Sequence, residues 1–272
     1  MFFLCLDLLM IAALAVAGFF VLVRHLESAG VFFPGREITA DPSGLGLPWE
    51  DVYFNARGNV LLNGWFFKNP AARSTLFFAH GNAGNIGDRV LKIKFFYDLG
   101  MNVFIFDYRG YGKSEGRPSE AGIYWDAQAA FDYLQSRGDV DMDKVIFYGA
   151  SLGGAVVIDL ANHRKAALLA VESSFTSARD MARVHYPFVP LFFIRLKFNS
   201  IDKVRHLNVP KLFMHSPQDE VVPYRVGEKL FMAAGEPKQF LKIRGGHNDS
   251  SLVDQPAAAA EFIHLLKSKE LI

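Results

Sequence analysis

The sequence predicts an α/β protein built on a mostly parallel central sheet, and three observations predict it. Short apolar runs recur at 52–54, 61–67, 74–78, 101–106, 144–148, 167–171, 211–215 and 239–243, each of strand length. From the third run onward they alternate with helical patterns, such as 121–135 and 255–267, where apolar residues recur at helix spacing. That alternation requires crossover connections, so the last six strands are expected to run parallel with helices covering both faces. The third observation is size: 272 residues at 51% hydrophobic suit one domain with a large core plus a terminal appendage. No internal repeat or low-complexity segment interrupts the pattern.

The appendage comes first. Residues 8–23 are uninterrupted apolar sequence, and extension back to Phe2 past Asp7 reaches the roughly 20 residues that cross a bilayer. A cleaved secretory signal fits less well: no basic residue precedes the stretch, and apolar residues 19–23 continue past the small residues 15–17. Residues 1–25 are therefore expected to be a retained single-pass membrane anchor and 26–49 a linker, with cleavage or burial against the domain as the alternatives. Arg24 and His25 lean toward a cytoplasmic domain, and two residues leave the side undecided.

Within the domain, the ends of the strands carry the chemistry. Run 144–148 leads directly into Gly149-Ala150-Ser151-Leu152-Gly153, the Gly-x-Ser-x-Gly pattern of a nucleophile elbow. Glycines are needed there because a sharp strand-to-helix turn holds the serine in strained backbone angles and brings its neighbours too close for side chains. A helix starting at Leu152 would aim its N-terminal amides, the Leu152 N–H among them, at a developing oxyanion. An acid and a base should then follow in the chain order Ser, Asp or Glu, His. Run 211–215 ends in the turn cluster Ser216-Pro217-Gln218-Asp219, and run 239–243 ends in Arg244-Gly245-Gly246-His247. Asp219 is the expected acid and His247 the expected base, since a neutral imidazole oriented by a carboxylate can take and return the serine proton. After run 74–78, the loop Ala79-His80-Gly81-Asn82 offers the Asn82 N–H as the second oxyanion donor, with His80 ordering the loop.

Rival readings are available for several of these residues. Glu172, after run 167–171, is an alternative acid. Asp107 precedes the serine and reads as a buttress for the loop Tyr108-Arg109-Gly110-Tyr111. Gly112-Lys113-Ser114 looks like the end of a phosphate-binding loop, but Asp107 stands where that motif needs its first glycine.

His80-Gly81-Asn82, Asp107 to Ser114, Gly149 to Gly153, Asp219 and Gly246-His247 together resemble an α/β-hydrolase over roughly residues 50–265. The loop His80-Gly81-Asn82-Ala83-Gly84-Asn85, the entry Leu47-Pro48-Trp49-Glu50-Asp51-Val52 and the stretch Asn63-Gly64-Trp65 look most similar to the small membrane-anchored serine hydrolases. The relatives of that group include lysophospholipid hydrolases and protein depalmitoylases. The resemblance implies an α/β-hydrolase fold over 50–272 with a short lid inserted at about 176–205. There Tyr186-Pro187-Phe188-Val189-Pro190-Leu191-Phe192-Phe193-Ile194 is apolar but too short to span a bilayer. Those side chains either line an acyl site or pack on the core.

The function expected is hydrolysis of carboxylic or thio esters, the substrate a small-molecule or lipid acyl ester. A peptidase or amidase of the same fold, or a membrane-tethered binding protein without turnover, are the alternatives. A net charge of +1 gives no reason to expect nucleic acid, the lone Cys5 allows no internal disulfide, and no Cys/His spacing suggests a metal or other cofactor.

Overall fold

The computed structural model describes residues 10–11, 14, 18, 21, 23, 27, 29–40, 42–249 and 252–272. Most of the expected anchor lies outside the described residues; its described members, from Met10 to Val23, are helical. Among the described residues no helix is long and apolar enough to cross a membrane.

Among the described residues ten strands form two sheets. The chain enters through β1 (Phe33–Pro34), β2 (Trp49–Ala56), β3 (Val60–Phe67), β4 (Ser74–Ala79) and β5 (Ala83–Gly84). It continues through β6 (Met101–Phe106), β7 (Val145–Ala150), β8 (Leu168–Glu172), β9 (Lys211–His215) and β10 (Lys238–Lys242). The eight-stranded sheet has the order β10-β9-β8-β7-β4-β6-β3-β2. Its six strands from β4 onward, β5 aside, pair in parallel, as the crossover pattern predicts, and β3 joins them antiparallel to β6 and β2. β2 and β3 are joined by the short turn between Ala56 and Val60, too short for a crossover, so antiparallel pairing is the geometry available to them. The small β1–β5 pair, two residues each, has too little pattern to be read from sequence and is fixed by tertiary contact.

Central strands β4 and β6 are buried along their whole length because helices cover both faces, which is why they read as continuous apolar runs. One face packs α2 (Glu120–Ser136), α3 (Leu152–Ala161) and α6 (Tyr224–Ala233) through Phe77, Phe104, Phe147, Ile123, Val156 and Leu230. The other packs α1 (Val90–Asp98) and α7 (Pro256–Ser268) through Phe78, Ile105, Tyr148, Phe96 and Phe262. Helix α2 starts where Ser119 accepts the Gly122 N–H, a side-chain cap that supplies one of the partners a helix N-terminus lacks. Helix α3 is apolar nearly all round and buried from Leu152 to Leu160, so it lies between the sheet and its neighbours, where such a helix belongs.

Between β8 and β9 lie α4 (Ala178–His185), a 3-10 turn (Leu191–Phe193) and α5 (Ser200–Val204). Helix α4 is capped by Ser177 and was not legible as an apolar run because only Ala182 on it is buried. Phe175 and Phe198 tie this segment to the core, while residues 185–190 are all exposed.

Candidate active site

The turn from β7 into α3 places Ser151 at φ +54° and ψ −116°, a conformation that side chains other than glycine rarely adopt and that costs about 1–3 kcal/mol. Two hydrogen bonds from its surroundings hold it there. The Ser151 N–H donates to the Glu172 carbonyl at 2.8 Å, and the Ser174 hydroxyl donates to the Ser151 carbonyl at 2.8 Å. The glycines on either side are required by contact: a Cβ on Gly153 would lie 1.9 Å from the Ala79 carbonyl oxygen, and one on Gly149 would lie 2.2 Å from that of Gly153. Gly153→Ala is therefore expected to destabilise the fold by about 1–3 kcal/mol through overpacking. A thermal melt checks it, and an unchanged midpoint would show that β4 and α3 can part at no cost.

His247 reaches Ser151 from the loop after β10. The Ser151 hydroxyl donates to His247 Nε2 at 3.0 Å, and His247 Nδ1 donates to Asp219 Oδ2 at 2.8 Å and Oδ1 at 3.0 Å. The ionised carboxylate can only accept, so the proton of the neutral ring is assigned to Nδ1 and Nε2 is left to accept from the hydroxyl. Asp219 is buried beyond β9, where its Oδ1 also accepts the N–H groups of Val221 at 3.0 Å and Val222 at 2.7 Å. Burial alone would raise its pKa, but His215, His247 and the Val222 N–H outweigh it and hold the carboxyl well below the usual range.

Three residues in this arrangement escaped the sequence reading. His215, buried at the end of β9, lies 3.4 Å from Asp219 Oδ2 and donates from Nε2 to the Val222 carbonyl at 2.8 Å. Glu220 accepts the His247 N–H at 2.9 Å, and the Ser216 hydroxyl donates to the Gly245 carbonyl, tying the two loops together. Adjacency to Asp219 was the one signal for Glu220, and nothing in spacing marks Ser216.

Glu172 goes elsewhere. Its carboxylate accepts from Tyr148 and Lys92, and Tyr148 packs on the sheet face opposite the β8–β9 segment. Asp107 accepts the Ile86 N–H at 3.0 Å and faces His80 at 3.4 Å, both side chains fully buried; burial pushes its carboxyl up. His80 Nδ1 donates to the Gly81 carbonyl at 2.7 Å, its ring packs 4.4 Å from that of Tyr108, and the Tyr108 hydroxyl donates to the His80 carbonyl. These contacts fix the loop that carries Asn82.

Ser151, Leu152 and Asn82 line one cavity of about 630 Å³. Its wall is predominantly apolar, with Phe175, Met181, Phe193, Leu196 and Phe198 from the β8–β9 segment and Val31 and Phe33 from the region ahead of the sheet. Val23, Glu27 and Gly30 also line it, so the stretch expected to be a linker forms part of the cavity. Glu27 is anchored there by accepting the N–H groups of Arg195 and Leu196 at 2.7 and 2.8 Å. The serine can thus pass its proton to an imidazole that the carboxylate orients, at the wall of an apolar cavity. Among the described residues no cluster of His, Cys, Asp or Glu could hold a metal ion.

The family model for serine aminopeptidase, S33, matches residues 70–199. Uncharacterized protein Rv2307c of Mycobacterium tuberculosis is 35% identical over 248 residues, covering 90% of this chain and 88% of that protein. The alpha/beta hydrolase domain-containing protein WAV2 of Arabidopsis thaliana is 37% identical over 234 residues, covering 77% and 76%. The chain belongs to the α/β-hydrolase superfamily. Among solved structures, the Pyrococcus furiosus esterase Pf2001 superposes with a TM-score of 0.72 at 18% identity, over 88% of this chain and 97% of that one.

Proposed function

We propose that the protein is a membrane-anchored serine hydrolase that cleaves carboxylic ester or thioester bonds of acyl or lipid-like substrates through an acyl-enzyme. The observation that carries this reading is the hydrogen-bonded series Ser151, His247 and Asp219 opening into a large apolar cavity. Ser151 Oγ attacks the acyl carbonyl carbon as His247 Nε2 takes its proton. The N–H groups of Leu152 and Asn82 stabilise the oxyanion. The tetrahedral intermediate then expels the alcohol or thiol, protonated by His247, and water repeats the sequence to release the acid. No cofactor is needed for these steps.

Esters are favoured over peptides by the cavity wall. The wall is predominantly apolar, which suits an acyl chain better than the polar backbone and charged amino terminus of a peptide. The solved esterase of the same fold is consistent with that choice.

The test is a panel of acyl esters, thioesters and aminoacyl amides of increasing chain length. Long-chain esters or thioesters are expected to be turned over and amides to be inert; preferential amide cleavage would contradict the reading. Phe193, which lines the cavity, is expected to contact the acyl chain. Phe193→Ser should lower kcat/KM for long esters more than for acetyl esters, by about tenfold if two buried methylenes lose their contacts. Equal losses would mean that Phe193 only packs the segment.

Anchoring rests on the apolar residues 8–23 and on Met10, Ile11, Leu14 and Val21, all more than half exposed on a helix. The full chain is expected to resist carbonate extraction from membranes. Release by carbonate would contradict anchoring.

A further inference from the structure

We infer that the face surrounding the mouth of the cavity docks onto an anionic lipid surface, so that acyl chains enter toward Ser151 from the bilayer. The docking itself stands on surface features and does not require turnover; the delivery of acyl chains rests on the hydrolase reading above.

The first feature is the rim. Phe33, Tyr186, Val189 and Val221 all line the cavity and are also exposed, at 50%, 57%, 39% and 38%. A mouth that admitted its ligand from water would be expected to be rimmed by polar groups, whereas this apolar lining continues onto the outer surface. Just beyond the rim stand Phe188, 97% exposed, and Phe192, 73% exposed. Phe188 lies between Pro187 and Pro190, which restrict the backbone, so this aromatic is presented to the outside at little cost in lost freedom. Neither Phe188 nor Phe192 lines the cavity, so they are not explained by ligand contact.

Charge selects the kind of surface. Over residues 178–205 six Lys or Arg stand against two Asp, although the whole chain has a net charge of only +1. Arg183 pairs with Asp180 and Lys203 with Asp159, and the segment that carries the aromatic tips keeps an excess of basic residues, the combination that binds the headgroup boundary of an anionic leaflet. Position is the third feature. The N-terminal helical segment, whose described residues Met10, Ile11, Leu14 and Val21 expose apolar side chains, places Val23 and Glu27 in the cavity wall. Glu27 binds that end to Arg195 and Leu196 beside the 3-10 turn that carries Phe192. The apolar N-terminal segment and the aromatic tips thus meet at the same mouth, and a bilayer that receives one lies against the other.

The experiment places an indole at the tip. The full chain carrying Phe188→Trp is mixed with phosphatidylcholine–phosphatidylglycerol vesicles whose acyl chains are brominated, and its emission is compared with that of the parent protein. Leu91→Trp, on α1 against the opposite face of the sheet and 69% exposed, serves as the reference. The added emission of F188W is expected to fall by about half or more and that of L91W to stay unchanged, because quenching reports contact with acyl chains. An unquenched F188W, or equal quenching of both, overturns docking, as would be seen if this face instead received a protein partner or a second copy.

A second arm reads consequence. F188S/F192S is expected to hydrolyse a soluble short ester at the parent rate and a vesicle-borne long-chain ester about tenfold more slowly. Equal rates on the vesicle-borne ester would overturn delivery from the bilayer. If F188W is quenched and no ester is hydrolysed, the hydrolase reading fails while docking stands. If esters are hydrolysed and F188W is unquenched, the reverse holds.

Discussion

Ser151→Ala is expected to lower turnover of a short acyl ester by about 10⁴-fold or more while leaving the fold intact. The magnitude follows from the chemistry: without the hydroxyl no acyl-enzyme forms, and what remains is the weak assistance of the oxyanion donors to attack by water. Removal of the hydroxyl takes one donor from His247 Nε2 and leaves the backbone bonds from Ser151 to Glu172 and from Ser174 to Ser151 in place. The thermal midpoint should therefore stay near that of the parent protein. Turnover that survived in the variant would move the nucleophile elsewhere, and a collapsed melt would mean that the hydroxyl holds the elbow together.

His247→Ala should be as severe, because the same proton passes through its ring twice in each cycle. Asp219→Asn is expected to cost about 10³- to 10⁴-fold, because an amide can donate to the imidazole and stabilise the wrong tautomer. The comparison that isolates the acid is Glu172→Gln. Glu172 is bound to Tyr148 and Lys92, so its loss should affect stability more than turnover, and a crippled Glu172→Gln beside a mild Asp219→Asn would exchange their roles. Asp219 also links the site to acid stability. Its native carboxyl is held below its unfolded value of about 3.9, so it stabilises the fold above that value, and this contribution is lost as pH falls through the lower native pKa. Asp219→Asn should consequently lose stability near neutral pH and unfold less steeply toward strong acid. Parallel unfolding curves for the two proteins would show that the carboxylate's bonds do not favour the native state.

The parts of the fold that sequence reveals are those governed by local sterics or by burial on both sides of a strand. Runs 101–106 and 211–215 coincide with β6 and β9 because parallel central strands admit little but apolar residues. The elbow was legible for a different reason: the clash distances at Gly149 and Gly153 are set by backbone a few residues away and by the neighbouring strand, and they leave glycine little competition. Asp219 and His247 stood out because they end consecutive strands in the required order.

What sequence concealed depends on contacts between distant parts of the chain. β1 and β5 pair through two residues each, with the Phe33 N–H donating to the Asn82 carbonyl, and no periodicity can announce that. Residues 26–49 read as a linker, yet Glu27 binds Arg195 and Leu196 and Phe33 lines the cavity, because burial at this site depends on a segment more than 160 residues away. His215 looked like the last residue of a buried strand, and its closeness to Asp219 becomes visible only once the turn after β9 folds back.

The most direct test of the account is covalent. Treatment of the full chain with a fluorophosphonate, followed by proteolysis and mass spectrometry, should find one phosphonylated peptide, modified at Ser151, with the adduct absent from Ser151→Ala and strongly reduced in His247→Ala. An adduct at another residue, or labelling that persists in Ser151→Ala, would contradict it.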